Sequence, residues 1–193
     1  MTVIEPPRRR WTTDEFHKMA EFGILGEDER LELIDGEVIE LAPIGPAHRR
    51  ASLSLYDHMR DAAGSRHYVM HESPISLADG SEPQPDIAVA LGSADDYEDR
   101  HPSPSDLVLV VEASDTTLAA DRSTKMQLYA DAGIHEFWIV NLVDGQVEVY
   151  RQSSDGRFAP PEIYVSGQTV SLPFASGTIA VADILPRKLK KPI

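Results

Sequence analysis

The 193-residue sequence contains no cysteine. This absence excludes disulfide bonds, thiolate metal sites and cysteine nucleophiles together. Apolar runs are short: none approaches the roughly 20 residues that cross a bilayer, and the opening MTVIEPPRRRW lacks the apolar centre of a signal peptide. We therefore expect a soluble, cytoplasmic protein without membrane contact.

Several catalytic motifs are also missing. The sequence has no glycine-rich phosphate loop, no HExxH, no GxSxG and no EF-hand pattern. P-loop nucleotide hydrolysis, zincin proteolysis, α/β-hydrolase chemistry and calcium-loop binding consequently receive no support.

Basic residues are few, 18 against 32 acidic residues, and the net charge is −14. Such a charge repels polyanions over most of the surface. Half of the basic residues nevertheless lie in three short clusters: Arg8 to Arg10, Arg49 with Arg50, and Arg187, Lys188, Lys190 and Lys191. These clusters are either solvated surface charges or local basic strips that give weak, salt-sensitive contact with nucleic acid.

Hydrophobic periodicity predicts one mixed α/β domain over residues 1–193. A capped helix begins at Thr12 or Thr13, and Asp35-Gly36 turns a β-hairpin. The other predicted elements are helices over 47–63 and 117–132, strands over 66–73, 74–79, 85–91, 106–112, 136–141 and 146–152, a polar loop over 92–105, and short β pieces ending near 185. We expect a central mixed sheet flanked by helices, with a core over about 30–150, a helical extension over 1–29 and β additions over 151–193.

Two carboxylates stand at strand ends in this prediction. Glu112 directly follows the apolar run from Leu107 to Val111, and Asp86 precedes another apolar run. If the two strands are neighbours, the carboxylates lie close together and repel each other unless a cation sits between them. Hard oxygen ligands of this kind suit Mg²⁺ or Mn²⁺, and the backbone carbonyl of Ala113 is a candidate third ligand. Exposure of Glu112 at the rim of the sheet is the alternative.

Lys125 follows on the predicted helix after the Glu112 strand. Asp121, Lys125 and Leu128 share one face of that helix, so the ammonium group can point toward the carboxylates. An ion pair between Asp121 and Lys125 on the surface, worth a few tenths of a kcal/mol, is the competing interpretation. Spacing alone leaves both open.

The ordered combination of Pro85-Asp86, Glu112 with Ser114, and DRSTK…YADAGIHEFWIV resembles the Uma family of restriction endonucleases, within the PD-(D/E)XK nuclease superfamily. The resemblance implies a restriction endonuclease-like core with extra β-hairpins at both ends. It also implies that Asp86 and Glu112 bind metal. The superfamily lysine is expected two residues after the glutamate, where this chain has Ser114, and the resemblance to the Uma pattern implies that Lys125 takes its place.

The resemblance adds second-tier candidates from the first hairpin and the following helix: Glu32, Glu37 and His48, with Asp121 as a residue that could tune Lys125. That helix has no glutamate to lend to a metal, only Asp57 and Asp61 further along. The remaining histidines show no ligand spacing and are expected to be surface or core residues: His17, His58, His67, His71, His101 and His135. Glu72 is expected at the surface, and the 92–105 loop is long enough to reach over the site although its acidity would repel a phosphate backbone.

The leading functional prediction is an Mg²⁺- or Mn²⁺-dependent endonuclease that hydrolyses DNA phosphodiester bonds with a metal-activated water. Two alternatives stay open: a binding or regulatory module that kept the fold and lost the reaction, and a metal-dependent hydrolase of another phosphoester. By analogy with small nucleases that cut two strands, the chain is expected to be a homodimer.

Overall fold

The computed structural model describes residues 8–26 and 28–187. Its helical elements are α1 (Thr13–Glu21), α2 (Pro46–Ala63), a short 3-10 helix (Ala94–Tyr97), α3 (Leu118–Ala120), a π-helical turn (Asp121–Lys125), α4 (Met126–Asp131) and α5 (Val181–Ile184). The strands are β1 (Leu31–Ile34), β2 (Glu37–Glu40), β3 (His67–His71), β4 (Ile87–Leu91), β5 (Leu107–Ser114), β6 (Glu136–Asn141), β7 (Gln146–Arg151), β8 (Glu162–Val165), β9 (Thr169–Ser171) and β10 (Thr178–Ala180).

Six strands form the central sheet in the order β3-β4-β5-β6-β7-β8. β5 and β6 run parallel, whereas the other neighbouring pairs are antiparallel. A parallel pair needs a crossover connection, and the continuous helical segment from α3 through the π turn to α4 provides it. The predicted fold class, a mixed sheet flanked by helices, is therefore confirmed.

Helices cover both faces of the sheet. One face packs on α2, whose buried stripe includes Ala51, Leu55 and Met59. The other face packs on the α3–α4 segment, where Tyr129 is fully buried. Because both faces are covered, β5 can be apolar without alternation, as the run from Leu107 to Val111 indicates.

Local sequence signals explain several element boundaries. Thr12 caps α1 in a capping box with Glu15, in agreement with the predicted start. Asp35 and Gly36 both adopt positive φ, 48° and 73°, which is the conformation of a type I′ hairpin turn between β1 and β2. Gly64 ends α2 as predicted, with a φ of 61°.

Four local predictions were wrong. Residues 74–79 form no strand, because backbone amides of this segment bond to loop carbonyls, as Ile75 does to Pro83. The 92–105 loop contains the 3-10 helix. β5 continues through Ser114, two residues beyond its predicted end at Glu112, while the helix that follows begins at Leu118, close to its predicted start near Thr117. Val181 and Ile184 are buried three residues apart, so this end of the chain forms α5 instead of a β piece.

The predicted boundaries between core and extensions stay a prediction, although β8 extends the central sheet beyond residue 150. Within residues 8–26 and 28–187, no helix is both long and apolar enough to cross a membrane. The first seven residues of the chain and Lys188, Lys190 and Lys191 of the basic tail lie outside the described residues.

Candidate active site

The two strand-end carboxylates lie side by side. Ile87 pairs with Val111 across the β4–β5 ladder, so Asp86 and Glu112 occupy the next position at the same end of the two strands. The amide of Ala113 donates a hydrogen bond of 2.7 Å to Asp86 Oδ2. Both acidic residues are buried, with 7% and 5% of their surface exposed. The alternative of a rim-exposed Glu112 is thereby excluded.

Lys125 reaches these carboxylates from the helical crossover. Its Nζ lies 3.0 Å from Glu112 Oε1 and 3.2 Å from Glu32 Oε2. Asp121 does not pair with it: its Oδ2 accepts hydrogen bonds from Ser114 Oγ at 2.7 Å and Thr117 Oγ1 at 2.6 Å. The competing surface ion pair between Asp121 and Lys125 is therefore wrong.

The π turn determines where Lys125 lies. Asp121 begins this turn and Lys125 ends it, within an otherwise α-helical crossover. A π turn places one extra residue in the helix and often marks a functional site. Ser114 lies on the same sheet face as Glu112, two residues away, and holds the start of the turn through Asp121.

His48 approaches Asp86 from the other side. Gly45 and Pro46 start α2, which places His48 in its first turn at the end of the sheet. His48 Nε2 lies 2.6 Å from Asp86 Oδ1. The two oxygens of Asp86 are thus held by two different elements, α2 and β5.

Tyr129 was missed by sequence reasoning. Its hydroxyl donates a hydrogen bond of 2.7 Å to Glu112 Oε1, and its side chain is fully buried. The signal was present, because Tyr129 follows Lys125 by four residues and therefore shares its helical face.

The electrostatics of the cluster follow from burial. Burial raises the pKa of Glu112 to about 8, against the opposing attraction of Lys125. Burial alone would lower the pKa of Lys125, but the carboxylates of Glu112 and Glu32 outweigh it, so the pKa is raised. Burial likewise opposes the charged form of His48, but the pKa of His48 is raised because Asp86 outweighs burial. The raised pKa of Glu112 means that its charged form would need more positive charge nearby than Lys125 supplies, which a bound cation would provide.

The donor set fits a hard divalent cation. Asp86 and Glu112 offer carboxylate oxygens beside a cavity of about 230 Å³, which His48 and Lys125 also line. Among the described residues, no three histidine or acidic side chains here converge closely enough to bind one ion. A divalent ion at this place would be held by the two carboxylates and completed by water, a mode common for Mg²⁺.

Other candidates lie elsewhere. Glu37 is on β2, with its Oε1 3.9 Å from Arg10 and its side chain 44% exposed. Glu72 is only partly buried, with Oε2 3.5 Å from Arg30. The 92–105 loop leaves β4 at the end opposite Asp86 and does not line the cavity, so the prediction that it could cover the site is wrong.

The fold occurs in solved structures. One of four matching chains is a crystal structure described as "a putative nuclease belonging to DUF820 from Anabaena variabilis ATCC 29413". The two chains are 16% identical, the TM-score is 0.68, and the match covers 90% of this chain and 96% of that chain. The two chains therefore share the same fold. A search of the curated proteins found no match.

A family model identifies the chain more closely. The Uma2 family, described as "putative restriction endonuclease", matches residues 13–182. The chain belongs to the Uma2 family, as the resemblance in its sequence predicted.

Proposed function

We propose that the protein is a divalent-metal-dependent endonuclease that hydrolyses phosphodiester bonds of DNA, with Asp86, Glu112 and Lys125 as its catalytic residues. The observation that carries the proposal is the convergence of two buried carboxylates from adjacent strands with one ammonium group beside an open cavity. Membership of the Uma2 family supports the same chemistry.

Asp86 and Glu112 would hold Mg²⁺ or Mn²⁺. Bound there, the ion would acidify a water molecule and offset the charge that builds on the phosphoryl oxygens. The backbone carbonyl of Ala113 remains a candidate additional ligand, because Ala113 lines the same cavity.

Lys125 would stabilise developing negative charge. Its raised pKa keeps the amine protonated, which supports electrostatic stabilisation over proton abstraction. Glu32 and Glu112 hold the ammonium in place, and Tyr129 fixes Glu112. Preorganised charge of this kind costs no reorganisation during the reaction.

A catalytically inactive binding module is the second candidate. It is favoured by one observation: both Asp86 oxygens already have partners within the chain, His48 and the Ala113 amide. Calorimetric titration with Mn²⁺ distinguishes the endonuclease from the inactive module. The endonuclease should bind Mn²⁺ and lose this binding in Asp86→Asn, whereas an inactive module would bind no ion, or bind it equally well after Asp86→Asn.

Plasmid cleavage in Mg²⁺ tests the proposal. Asp86→Asn and Lys125→Met should abolish cleavage, whereas the matched surface variants Asp57→Asn and Lys18→Met should retain it. Circular dichroism checks that each variant is folded. Cleavage by either active-site variant at the wild-type rate would refute the residue assignment. Parallel incubation with a small phosphodiester separates DNA from other phosphoester substrates.

The expected homodimer follows from the need for two sites to cut two strands. Sedimentation velocity should give a mass near twice the 21.3 kDa of one chain. A mass of one chain at all concentrations would contradict this expectation.

A further inference from the structure

A second cluster of possible metal ligands lies outside the candidate active site. His17 in α1, Glu82 before β4 and His101 in the 92–105 loop bring their ligand atoms within 4.8 Å of one another. Spacing in the sequence gave no indication of this, because His17 and Glu82 are 65 positions apart. His101 is exposed, as expected of a surface histidine, but it and His17 converge on Glu82 although their spacing in the sequence shows no ligand pattern.

Glu82 is the unusual member of this cluster. Its side chain is 6% exposed, and His17 Nε2 lies 2.9 Å from one carboxylate oxygen and 3.0 Å from the other. The nearby guanidinium of Arg100 is engaged by Asp106, with nitrogen–oxygen distances of 2.7 and 3.2 Å. A buried carboxylate needs a compensating cation, and in the described part of the chain its side-chain partner is this one imidazole.

The chemical types of the three ligands indicate which metal would bind. Two imidazoles and one carboxylate suit Zn²⁺, and three protein ligands plus one water form an open tetrahedral site. Ligand atoms of such a site are about 3.3 Å apart, close to the separation of His17 and Glu82. His101 is exposed on a loop, so its ring can approach the other two with little packing to disturb.

An ion bound at this cluster would hold together parts of the structure that are otherwise weakly attached. α1 has no buried residue, so few packing contacts hold it to the body of the protein. His101 belongs to the 92–105 loop, which has no role in the proposed nuclease reaction because it does not line the candidate active-site cavity. An ion shared by the three residues would tie α1 and this loop to Glu82, whose backbone bonds to Leu33 of β1.

We propose that His17, Glu82 and His101 form a Zn²⁺ site that fastens α1 and the 92–105 loop to the body of the domain. None of the three residues lines the active-site cavity. The site is therefore separate from the Mg²⁺ or Mn²⁺ site proposed at Asp86 and Glu112.

Zn²⁺ titration by calorimetry tests this site in the full chain. Asp86→Asn serves as the parent protein, because it should weaken any metal binding at the candidate active site. We expect the parent to bind one Zn²⁺ outside that site. Adding His101→Ala should lower the Zn²⁺ affinity by at least roughly 10- to 100-fold. Loss of a hydrogen-bond partner of a ligand already has this effect in known sites, and loss of a ligand itself should have at least as much. Adding His58→Ala, another exposed histidine, should leave it unchanged.

Hydrogen exchange provides a second measurement. Zn²⁺ should slow amide exchange in Thr13–Glu21 of the parent but not of its His101→Ala or Glu82→Gln derivative. Equal Zn²⁺ affinity with and without His101, or no binding by the folded parent, would overturn the site. Binding that leaves exchange in α1 unchanged would overturn its fastening role.

Discussion

Lys125 Nζ lies 3.0 Å from Glu112 Oε1, and these two residues come from the helical crossover and from the strand that precedes it. The lysine side chain is 11% exposed and the glutamate side chain 6%. The pair therefore links the π turn to the end of β5 in a largely dry environment, where removal of one partner is costly.

The stability of two variants, Lys125→Met alone and combined with Glu112→Gln, should test this ion pair. Lys125→Met leaves Glu112 and Glu32 without their ammonium partner and should lower the free energy of unfolding by up to about 3–5 kcal/mol. Adding Glu112→Gln removes a carboxyl group that, without Lys125, must either carry an unpaired charge or bind a proton at neutral pH, so the double variant should unfold at a higher urea concentration than Lys125→Met. Neither variant should cleave DNA. A double variant that is less stable than Lys125→Met would contradict the ion-pair interpretation.

His48 should affect metal affinity without being required as a ligand. It holds Asp86 Oδ1 at 2.6 Å and thus orients a proposed ligand. His48→Ala should weaken Mn²⁺ binding roughly 10- to 100-fold in calorimetry, as loss of such partners does in known metal sites. His58→Ala, on the exposed side of α2, is the control. Unchanged or tighter Mn²⁺ binding by His48→Ala would show that the histidine does not orient Asp86 for metal binding.

A buried network around Glu148 should make stability depend on pH. Burial alone would raise the pKa of Glu148, but hydrogen bonds led by that from Arg122 lower it to about 2 from an ordinary 4.5. Because the folded state favours the charged carboxylate, its contribution is full above about pH 4.5 and is lost as the pH falls toward 2. That contribution is on the order of 3 kcal/mol.

Urea unfolding between pH 2 and 7 measures this effect. Glu148→Gln should be less stable than wild type at neutral pH and should lose less stability as the pH falls through this range. The exposed Glu98→Gln variant should follow the wild-type curve. Parallel curves for Glu148→Gln and wild type would argue against the network. Arg122 belongs to the π turn, so this experiment also probes how that turn is attached to β7.

Weak DNA binding should depend on the basic pair at the start of α2. Arg49 and Arg50 are exposed next to His48, on the helix that borders the candidate site. Each phosphate contact contributes about 0.9 to the slope of log affinity against log salt. Arg49→Ala in the Asp86→Asn background should reduce that slope by about this amount, whereas the exposed Arg157→Ala should not. Equal slopes would mean that Arg49 is only a solvated surface charge.

The contrast between Asp86 and Lys125 shows how far sequence reasoning reached. The apolar runs beside Asp86 and Glu112 identified two strands, but the sequence left open whether they are neighbours, which the antiparallel β4–β5 ladder establishes. The helix period identified the face that carries Lys125. The helix period could not show the π turn. This turn begins at Asp121, whose carboxylate accepts hydrogen bonds from the hydroxyl groups of Ser114 and Thr117.

Local sequence patterns did not indicate some of the long-range contacts. Glu32 meets Lys125 because the first hairpin packs near the crossover, and nothing local to LELIDGEVIEL encodes that contact. His17 and His101 meet at Glu82 for the same kind of reason. Local patterns determine the elements, whereas these contacts depend on how loops of different length bring the elements together.

Diffraction from a Mn²⁺-soaked crystal, recorded at the manganese absorption edge, would test most directly whether the proposed catalytic ion binds. The proposed mechanism predicts an anomalous peak between the carboxylates of Asp86 and Glu112, with the Lys125 amine nearby, and no such peak in Asp86→Asn crystals. Saturating Mn²⁺ that leaves this position without a peak, or a peak that persists in Asp86→Asn, would contradict it.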